Sequence, residues 1–481
     1  MKSTEIDSFV ESYVAALRDQ TAAVFAGAGL SIPTGMVDWR TLLKGIARDL
    51  GLDVQKETDL VTLAQFHVNE RRGRHQLNQA LIVEFNRRAK LSKNHEVLAA
   101  LPIQTYWTTN YDALIEEALA AAGRLADVKR TVENLATTLP RRDAVVYKMH
   151  GDITQPDKAV VTKDDYEAYP TSHQLFSTAL QGDLVSKTFL FIGFSFSDPN
   201  LSYILARIRL LLGANRREHY CLLRRVQRTD FPKAEAYQYA KARQDLQVND
   251  LRRYGIVGML VDSYQEYTEV LKRVERRFKS SRVFVSGSAI DYEPLGTVDG
   301  QRLVNDLSRS LILSGFGVIS GFGVGVGEFV VNGALEAAEK EGSRDVHDRL
   351  TLRPFPVAIA DASTRRKRWT AYRRDMIGGA GVAIFLFGEK LEAGKKVVAD
   401  GVVEEFELAH QLGVTVVPVG ATGPAARLLH ERVLHDFTTY YPNKGYRKLF
   451  EALARPGTTK QIHDRVMALM DKCQSDQRST L

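Results

Sequence analysis

Near its start the chain runs Val24-Phe25-Ala26-Gly27-Ala28-Gly29-Leu30-Ser31-Ile32-Pro33-Thr34-Gly35 and closes on Asp38-Trp39-Arg40. A short apolar run that breaks into Gly-Ala-Gly and then Ser constrains the fold more than any other stretch. Its glycines let a strand turn sharply into a helix, and they let bare backbone amides from Ala26, Gly27, Ala28 and Gly29 approach an anionic group such as a pyrophosphate. Three further segments follow in order: Thr108-Thr109-Asn110-Tyr111-Asp112, Lys148-Met149-His150-Gly151-Asp152 and Ile192-Gly193-Phe194-Ser195. Each stands where an apolar run ends.

Those runs alternate with helical spacing. Residues 6–18 put Phe9, Tyr13, Val14 and Leu17 on one side of a helix. Strands are expected into Gly27 and at 104–109, 145–149, 188–193 and 218–223, with helices at 60–100, 112–122 and 200–212. This rhythm predicts a parallel sheet covered by helices. A basic helix end (Arg273, Arg276, Arg277, Lys279) then meets Ser280-Ser281, and a fresh strand begins at Val283. The α/β rhythm restarts there, with strands expected at 283–288, 317–320, 356–360, 382–387 and 414–419. The expected fold class is therefore α/β with two Rossmann-like parallel-sheet domains, residues 1–278 and 282–481. Length agrees, because 481 residues exceed one ordinary core.

Composition removes several function classes. The 65 basic and 58 acidic residues are mixed along the chain, so the formal net charge of +7 does not mark a dedicated nucleic-acid surface. The two cysteines, Cys221 and Cys473, form no Cys-x-x-Cys pair, which leaves no zinc knuckle and no disulfide framework and fits a reducing cytoplasm. Glu5, Asp7 and Glu11 are unlike a signal peptide. No apolar run approaches the ~20 residues that span a bilayer.

Asn110 and His150 carry the chemistry expected of the first domain. Breaking a nicotinamide–ribose bond needs a held ribose, a stabilised oxocarbenium-like centre and a nucleophile, because the pyridinium is already a cationic leaving group. An amide can hold the ribose and position water, and an imidazole can accept a proton. The plainer roles are a helix cap for Asn110, a loop histidine for His150, and turn residues for Ser195 and Asp198. Their shared position at strand ends, the edge where parallel α/β sheets bind ligands, favours the functional roles.

Gly27-Ala28-Gly29-Leu30-Ser31, with Gly35 and Asp38-Trp39-Arg40 downstream, resembles the opening motif of the sirtuins. Thr109-Asn110-Tyr111-Asp112 resembles their Asn-x-Asp segment, His150-Gly151 their catalytic His-Gly, and Gly193-Phe194-Ser195 their later Gly-x-Ser. The likeness covers roughly residues 1–275. It implies that Asn110 positions ribose and water, that His150 is the general base, that Asp112 engages the carboxamide, and that Ser31, Asp38 and Arg40 shape a NAD pocket with Gly193 and Ser195 on the adenosine side. Sirtuin deacylases also carry a four-cysteine zinc module beside the acyl-lysine cleft. Two cysteines cannot build it, so no metal and no cofactor beyond the substrate NAD+ is expected.

In the second half, Ser286-Gly287-Ser288 ends a strand and Gly321-Phe322-Gly323-Val324-Gly325-Val326-Gly327-Glu328 joins a strand to a helix. Such turns offer amides to phosphate. Arg365-Arg366-Lys367-Arg368-Trp369 with Tyr372-Arg373-Arg374 sets cations beside aromatics, and Glu404 and Glu405 stand at another helix entry, where a carboxylate accepts ribose hydroxyls. This half resembles the SLOG group, relatives of the LOG and DprA proteins. The glycine loop departs from the Pro-Gly-Gly-x-Gly-Thr of the LOG enzymes, so the likeness implies nucleotide binding rather than phosphoribohydrolase activity.

A sirtuin-like domain followed by SLOG is similar to the NAD-hydrolysing effectors of the bacterial Thoeris anti-phage system. That resemblance implies a cytoplasmic homotetramer in which a cyclic ADP-ribose isomer, made by a TIR-domain partner, binds the SLOG domain and switches on NAD hydrolysis, depleting NAD in abortive infection. It implies Arg373, Lys390 and Glu405, with Ser286, Gly287, Ser288, Gly323, Gly325 and Gly327, as the signal-binding set. No membrane partner is expected. The rival readings are a NAD-dependent protein deacylase, a non-catalytic nucleotide sensor, and an effector triggered by nucleic acid.

Overall fold

A computed structural model describes residues 2–87, 89–194, 196, 199–342, 346, 349–356 and 361–479. The chain divides into two compact units, Met1–Glu275 and Arg276–Leu481. Each is an α/β domain built on a parallel sheet.

The sheet of the first unit has seven strands: β1 (Ala22–Ala26), β2 (Thr105–Thr108), β3 (Ala126–Lys129), β4 (Ala144–Lys148), β5 (Thr188–Ile192), β6 (His219–Arg224) and β7 (Ile256–Val261), in the order β3-β4-β2-β1-β5-β6-β7. Every neighbouring pair is parallel. β1 and β5 are buried at every residue, which is why they read as unbroken apolar runs rather than alternating ones. Phe25, Trp107, Phe176, Phe189 and Phe191 fill the core beside them. A smaller core, with Leu43, Ala47, Leu63, Leu77 and Leu81, holds the helices between β1 and β2 together. The order of the strands puts the reversal in the direction of successive strand additions between β1 and β5. Ligands of open α/β sheets bind at the carboxyl ends of the strands flanking such a reversal.

The second unit repeats the plan with β8 (Arg282–Ser288), β9 (Gly317–Ser320), β10 (Leu350–Leu352), β11 (Val382–Phe387) and β14 (Thr415–Pro418), in the order β10-β9-β8-β11-β14. Its reversal lies between β8 and β11. A hairpin of β12 (Glu389–Glu392) and β13 (Lys395–Val398) leaves the end of β11. Its two turn residues, Ala393 and Gly394, both have positive φ, 49° and 76°.

The expected strands into Gly27 and at 104–109, 145–149, 188–193, 218–223, 283–288, 317–320, 382–387 and 414–419 are present within a residue or two. β3, β7, β10 and the hairpin were not expected. β3 hides because it carries Asp127 and Lys129, both buried and paired to each other at 2.9 Å. The strand expected at 356–360 lies, after Pro356, outside the described residues.

Candidate functional site

At the reversal in the first unit, the turns after β1 and β5 sit directly against each other. The Gly27 amide donates to the Ile192 carbonyl at 3.0 Å, and the Gly29 amide to the Gly193 carbonyl at 2.8 Å. A Cβ on Gly27 would stand 2.5 Å from the Gly193 oxygen. The glycines of the opening motif are thus required for backbone against backbone. Ala28 is exposed and Gly29 half-buried, so the outer side of the same turn still offers main chain to a ligand.

Asn110 reaches this turn from β2. Its backbone amide donates to the Thr108 hydroxyl at 2.9 Å, and that hydroxyl donates to the Ala26 carbonyl at 3.0 Å. The Asn110 side-chain Nδ2 donates to the Gly27 carbonyl and to the Ser31 Oγ, both at 3.1 Å. Asn110 and Ser31 are both buried. Asn110, Ser31 and the glycine turn therefore form one unit drawn from two strand ends.

His150 stands beside it through sheet register. β2 and β4 pair with Thr108 opposite Lys148, so Asn110 and His150 each lie two residues past the same rung of the ladder. Tyr111 joins the two turns. Its hydroxyl donates to the Val160 carbonyl at 2.7 Å, and the Val160 amide donates to the His150 carbonyl at 2.9 Å. The His150 ring, 4% exposed, meets the rings of Tyr166 and Tyr169 edge-on at 5.5 and 6.2 Å. Tyr169 in turn stacks on His173 at 4.6 Å. The His173 imidazole is held below its ordinary pKa, first by burial and then by the neighbouring His150.

Other expected residues take supporting positions. Asp112 is buried and its Oδ1 accepts from the Leu114 amide at 3.1 Å, opening the helix Leu114–Ala121. Asp38 caps the short helix Trp39–Leu42 by accepting from the Thr41 amide at 2.8 Å. The Arg40 guanidinium donates to the carbonyls of Val54 and Glu57, pinning the loop before the next helix. Ser195 and Asp198 lie outside the described residues. Sequence reasoning missed Tyr111 and Lys148 as working residues. Both stand inside the quoted segments, and a lysine closing an apolar run two residues before His150 was the available signal.

In the second unit, Ser286, Arg373 and Glu405 come together near the β8–β11 reversal. The Ser286 hydroxyl donates to Glu405 at 2.6 Å, and Arg373 Nε donates to the same carboxylate at 3.3 Å. Burial raises the Glu405 pKa, against the pull of Ser286 and Arg373. Arg373 also donates to Glu404 at 2.7 Å, and its guanidinium lies 4.8 Å from the Phe355 ring centroid and 5.9 Å from that of Trp369. Phe355 was not foreseen. Lys390, on the hairpin, pairs with Asp400 at 2.8 Å, one residue before Gly401, where a Cβ would stand 2.8 Å from the Arg373 Nη2. Ser288 donates to the Glu389 carbonyl at 2.7 Å, tying the hairpin to β8. A Cβ on Gly287 would meet the Leu386 oxygen at 2.5 Å, and one on Gly327 the Phe322 Cα at 2.6 Å. Gly323 is pressed on the Gly287 carbonyl, and Gly325, at φ 72°, on that of Ala289. The loop is thereby sealed against the end of β8.

Among the described residues no group of His, Cys, Asp and Glu is arranged to hold a metal ion, and no helix is long and apolar enough to cross a membrane.

Two parallel-sheet units, the first with an Asn–His strand-end pair and the second with a buried Arg–Glu pair, define a SIR2-like domain followed by a SLOG domain. The family models agree: a SIR2-like domain matches residues 104–247, and the Sir2- and TIR-associating SLOG family matches 266–473. The chain is 47% identical to the NAD(+) hydrolase ThsA of Bacillus cereus (strain MSX-D12) over 93% of its length and 94% of that protein's. It is 44% identical to the NAD(+) hydrolase ThsA of Acinetobacter baumannii (strain 532279), over 92% and 94% of the two chains, and 41% identical to that of Enterococcus faecium, over 97% and 99%. The chain belongs to this ThsA family.

Proposed function

We propose that the chain is a NAD+ glycohydrolase: NAD+ and water give nicotinamide, ADP-ribose and a proton. The observation that carries the reading is the register of β2 and β4, from which Asn110 and His150 each follow two residues past the same rung, while Asn110 Nδ2 is tied to the Gly27 carbonyl and Ser31. The 41–47% identity to proteins named NAD(+) hydrolase supports it over nearly the whole chain. In the turn at 26–29 the Gly27 and Gly29 amides donate to the Ile192 and Gly193 carbonyls, so the exposed Ala28 backbone is what the turn offers the pyrophosphate. The Asn110 amide holds the ribose and the attacking water, Asp112 faces the carboxamide, and His150 receives the proton as the C–N bond breaks. Tyr166 and Tyr169 wall the imidazole and limit access of bulk water to it.

The second unit is the sensor in this reading. A cyclic ADP-ribose isomer from a TIR-domain protein carries phosphates for Arg373 and Lys390 and hydroxyls for Glu405. Its binding shifts a resting homotetramer toward the hydrolysing state by the difference in its affinity for the two. Gated hydrolysis in the cytoplasm then empties the NAD pool of an infected cell.

The test is nicotinamide release from NAD by the purified full chain, with cyclic ADP-ribose isomers added one at a time. Release that rises with one isomer is expected, together with a loss of at least about 100-fold in Asn110→Ala and His150→Ala. Unchanged turnover in either variant refutes the assigned roles. NAD consumption only in the presence of an acylated peptide would favour deacylation instead.

A further inference from the structure

The functional reading leaves one fully buried cation unused. Lys148 ends β4, two residues before His150, and its side chain has no exposed surface. Its ammonium donates to the Tyr111 carbonyl at 3.2 Å and to the Asp112 carbonyl, the two main-chain oxygens that directly follow Asn110. It also pairs with Asp152 at 2.8 Å and Glu116 at 3.3 Å. The Tyr111 carbonyl accepts a second bond from the Ile153 amide at 3.1 Å, so the chain after Asn110 and the chain after His150 meet at one oxygen. Burying an ammonium is costly, and the bonds to two carbonyls and the pairing with two carboxylates are what offset that cost here.

We propose that Lys148 is a positioning residue for NAD hydrolysis, holding the Asn110–Asp112 turn at the distance from the His150 turn that the reaction requires. This rests on the roles assigned to Asn110 and His150. The geometry supports it in three ways. The Lys148 Nζ contacts main chain of the Asn110 turn, so it sets backbone position and not merely charge. Its carboxylate partners come from both sides: Glu116 from the helix that follows Asp112, and Asp152 from the turn that follows His150. Asp152 is itself fixed, accepting from the Thr154 amide at 2.9 Å and hydroxyl at 2.6 Å. An ammonium between two anchored loops thus acts as a spacer. A neutral side chain of the same length would leave the Asp112 carbonyl and the Glu116 carboxylate without this cation, while the Tyr111 carbonyl keeps the Ile153 amide and Asp152 keeps Thr154. Burial raises the Asp152 pKa, but Lys148 and the two hydrogen bonds from Thr154 together outweigh it and leave the carboxyl below its usual range.

The experiment uses the full chain under the conditions in which the unsubstituted chain hydrolyses NAD. Four proteins are compared: unsubstituted, Lys148→Met, the triple variant Lys148→Met/Glu116→Gln/Asp152→Asn, and Asn110→Ala. Nicotinamide release gives kcat and KM, and thermal unfolding gives Tm. Lys148→Met is expected to lower kcat about 10- to 100-fold, the scale set by a misplacement of about 1 Å. Its KM should stay within about threefold, because the pyrophosphate turn lies elsewhere. The triple variant removes the stranded carboxylates, so its Tm should recover while kcat stays low, the bonds to Tyr111 and Asp112 still being absent. Recovery of kcat in step with Tm would make Lys148 a stability residue only and overturn the proposal, as would wild-type turnover in a folded Lys148→Met. If Asn110→Ala is inactive while Lys148→Met is normal, only this proposal falls. If Asn110→Ala is fully active, the functional reading and this proposal fall together.

Discussion

Gly193→Ala tests why the two glycine turns are glycine at all. Gly193 has φ 65°, in the left-handed region. A Cβ there would lie 2.6 Å from the Gly29 carbonyl carbon, 3.0 Å from the Gly27 oxygen and closer still to the Leu30 amide nitrogen, where ordinary contact is 3.4–4 Å. All three are backbone atoms at the end of a buried strand, so none can swing aside. Left-handed backbone costs about 1–2 kcal/mol and forced displacement in a packed region about 1–3, less about 0.4–1 returned by the stiffer unfolded chain, for a net loss near 3 kcal/mol. Gly51→Ala is the control: its φ is 73° but nothing lies within 4 Å, so only the backbone cost of about 1 kcal/mol remains. Urea unfolding followed by tryptophan emission measures both. In a Trp369→Phe background the remaining tryptophans, Trp39 and Trp107, lie in the first unit. NAD hydrolysis should also fall in Gly193→Ala, since displacing the Gly27 carbonyl moves a hydrogen-bond partner of Asn110. Equal losses in the two variants would refute the claim that the seating of one turn on the other is what demands glycine.

Acid should weaken the first unit through Asp165. Burial raises its pKa, but the amides of Thr162 and Val161 and the Arg74 guanidinium more than offset that and hold it below the ordinary range. Its folded pKa is thus the lower one, so its contribution is present above the unfolded value and is lost as pH falls through the folded value. Asp165→Asn should flatten the acid limb of a Tm–pH curve while lowering Tm at neutral pH, and an unchanged acid limb would contradict this. Arg373→Ala and Glu405→Gln should each raise the isomer concentration needed for half-maximal activation at least about tenfold, the scale of one charge-assisted bond. Isothermal titration that finds unaltered affinity would remove both residues from the signal site.

Much of this protein is readable from residues close together in sequence. A buried parallel strand announces itself as three to six apolar residues in a row, and a glycine turn punctuates it, so β1, β5, β8 and β11 and the loops behind them were legible. β3 was not, because its Asp127–Lys129 pair lets charged residues occupy a buried position, a compensation that no local pattern reveals. Motif glycines drew attention to phosphate, whereas Gly27, Gly29 and Gly193 are also demanded by contact across 166 residues between Gly27 and Gly193. Strand-end position and the sirtuin likeness already grouped Asn110 with His150 as an expectation. They become neighbours because parallel strands need a crossover between them, so residues brought to one rung are necessarily distant in the chain. The same holds for Ser286, Arg373 and Glu405, and for Lys148, whose role depends on which carbonyls its buried ammonium meets. Local composition chose the elements and their ends; the three-dimensional packing chose the partners, because hydrogen bonds and ion pairs are matched by distance in space and not along the chain.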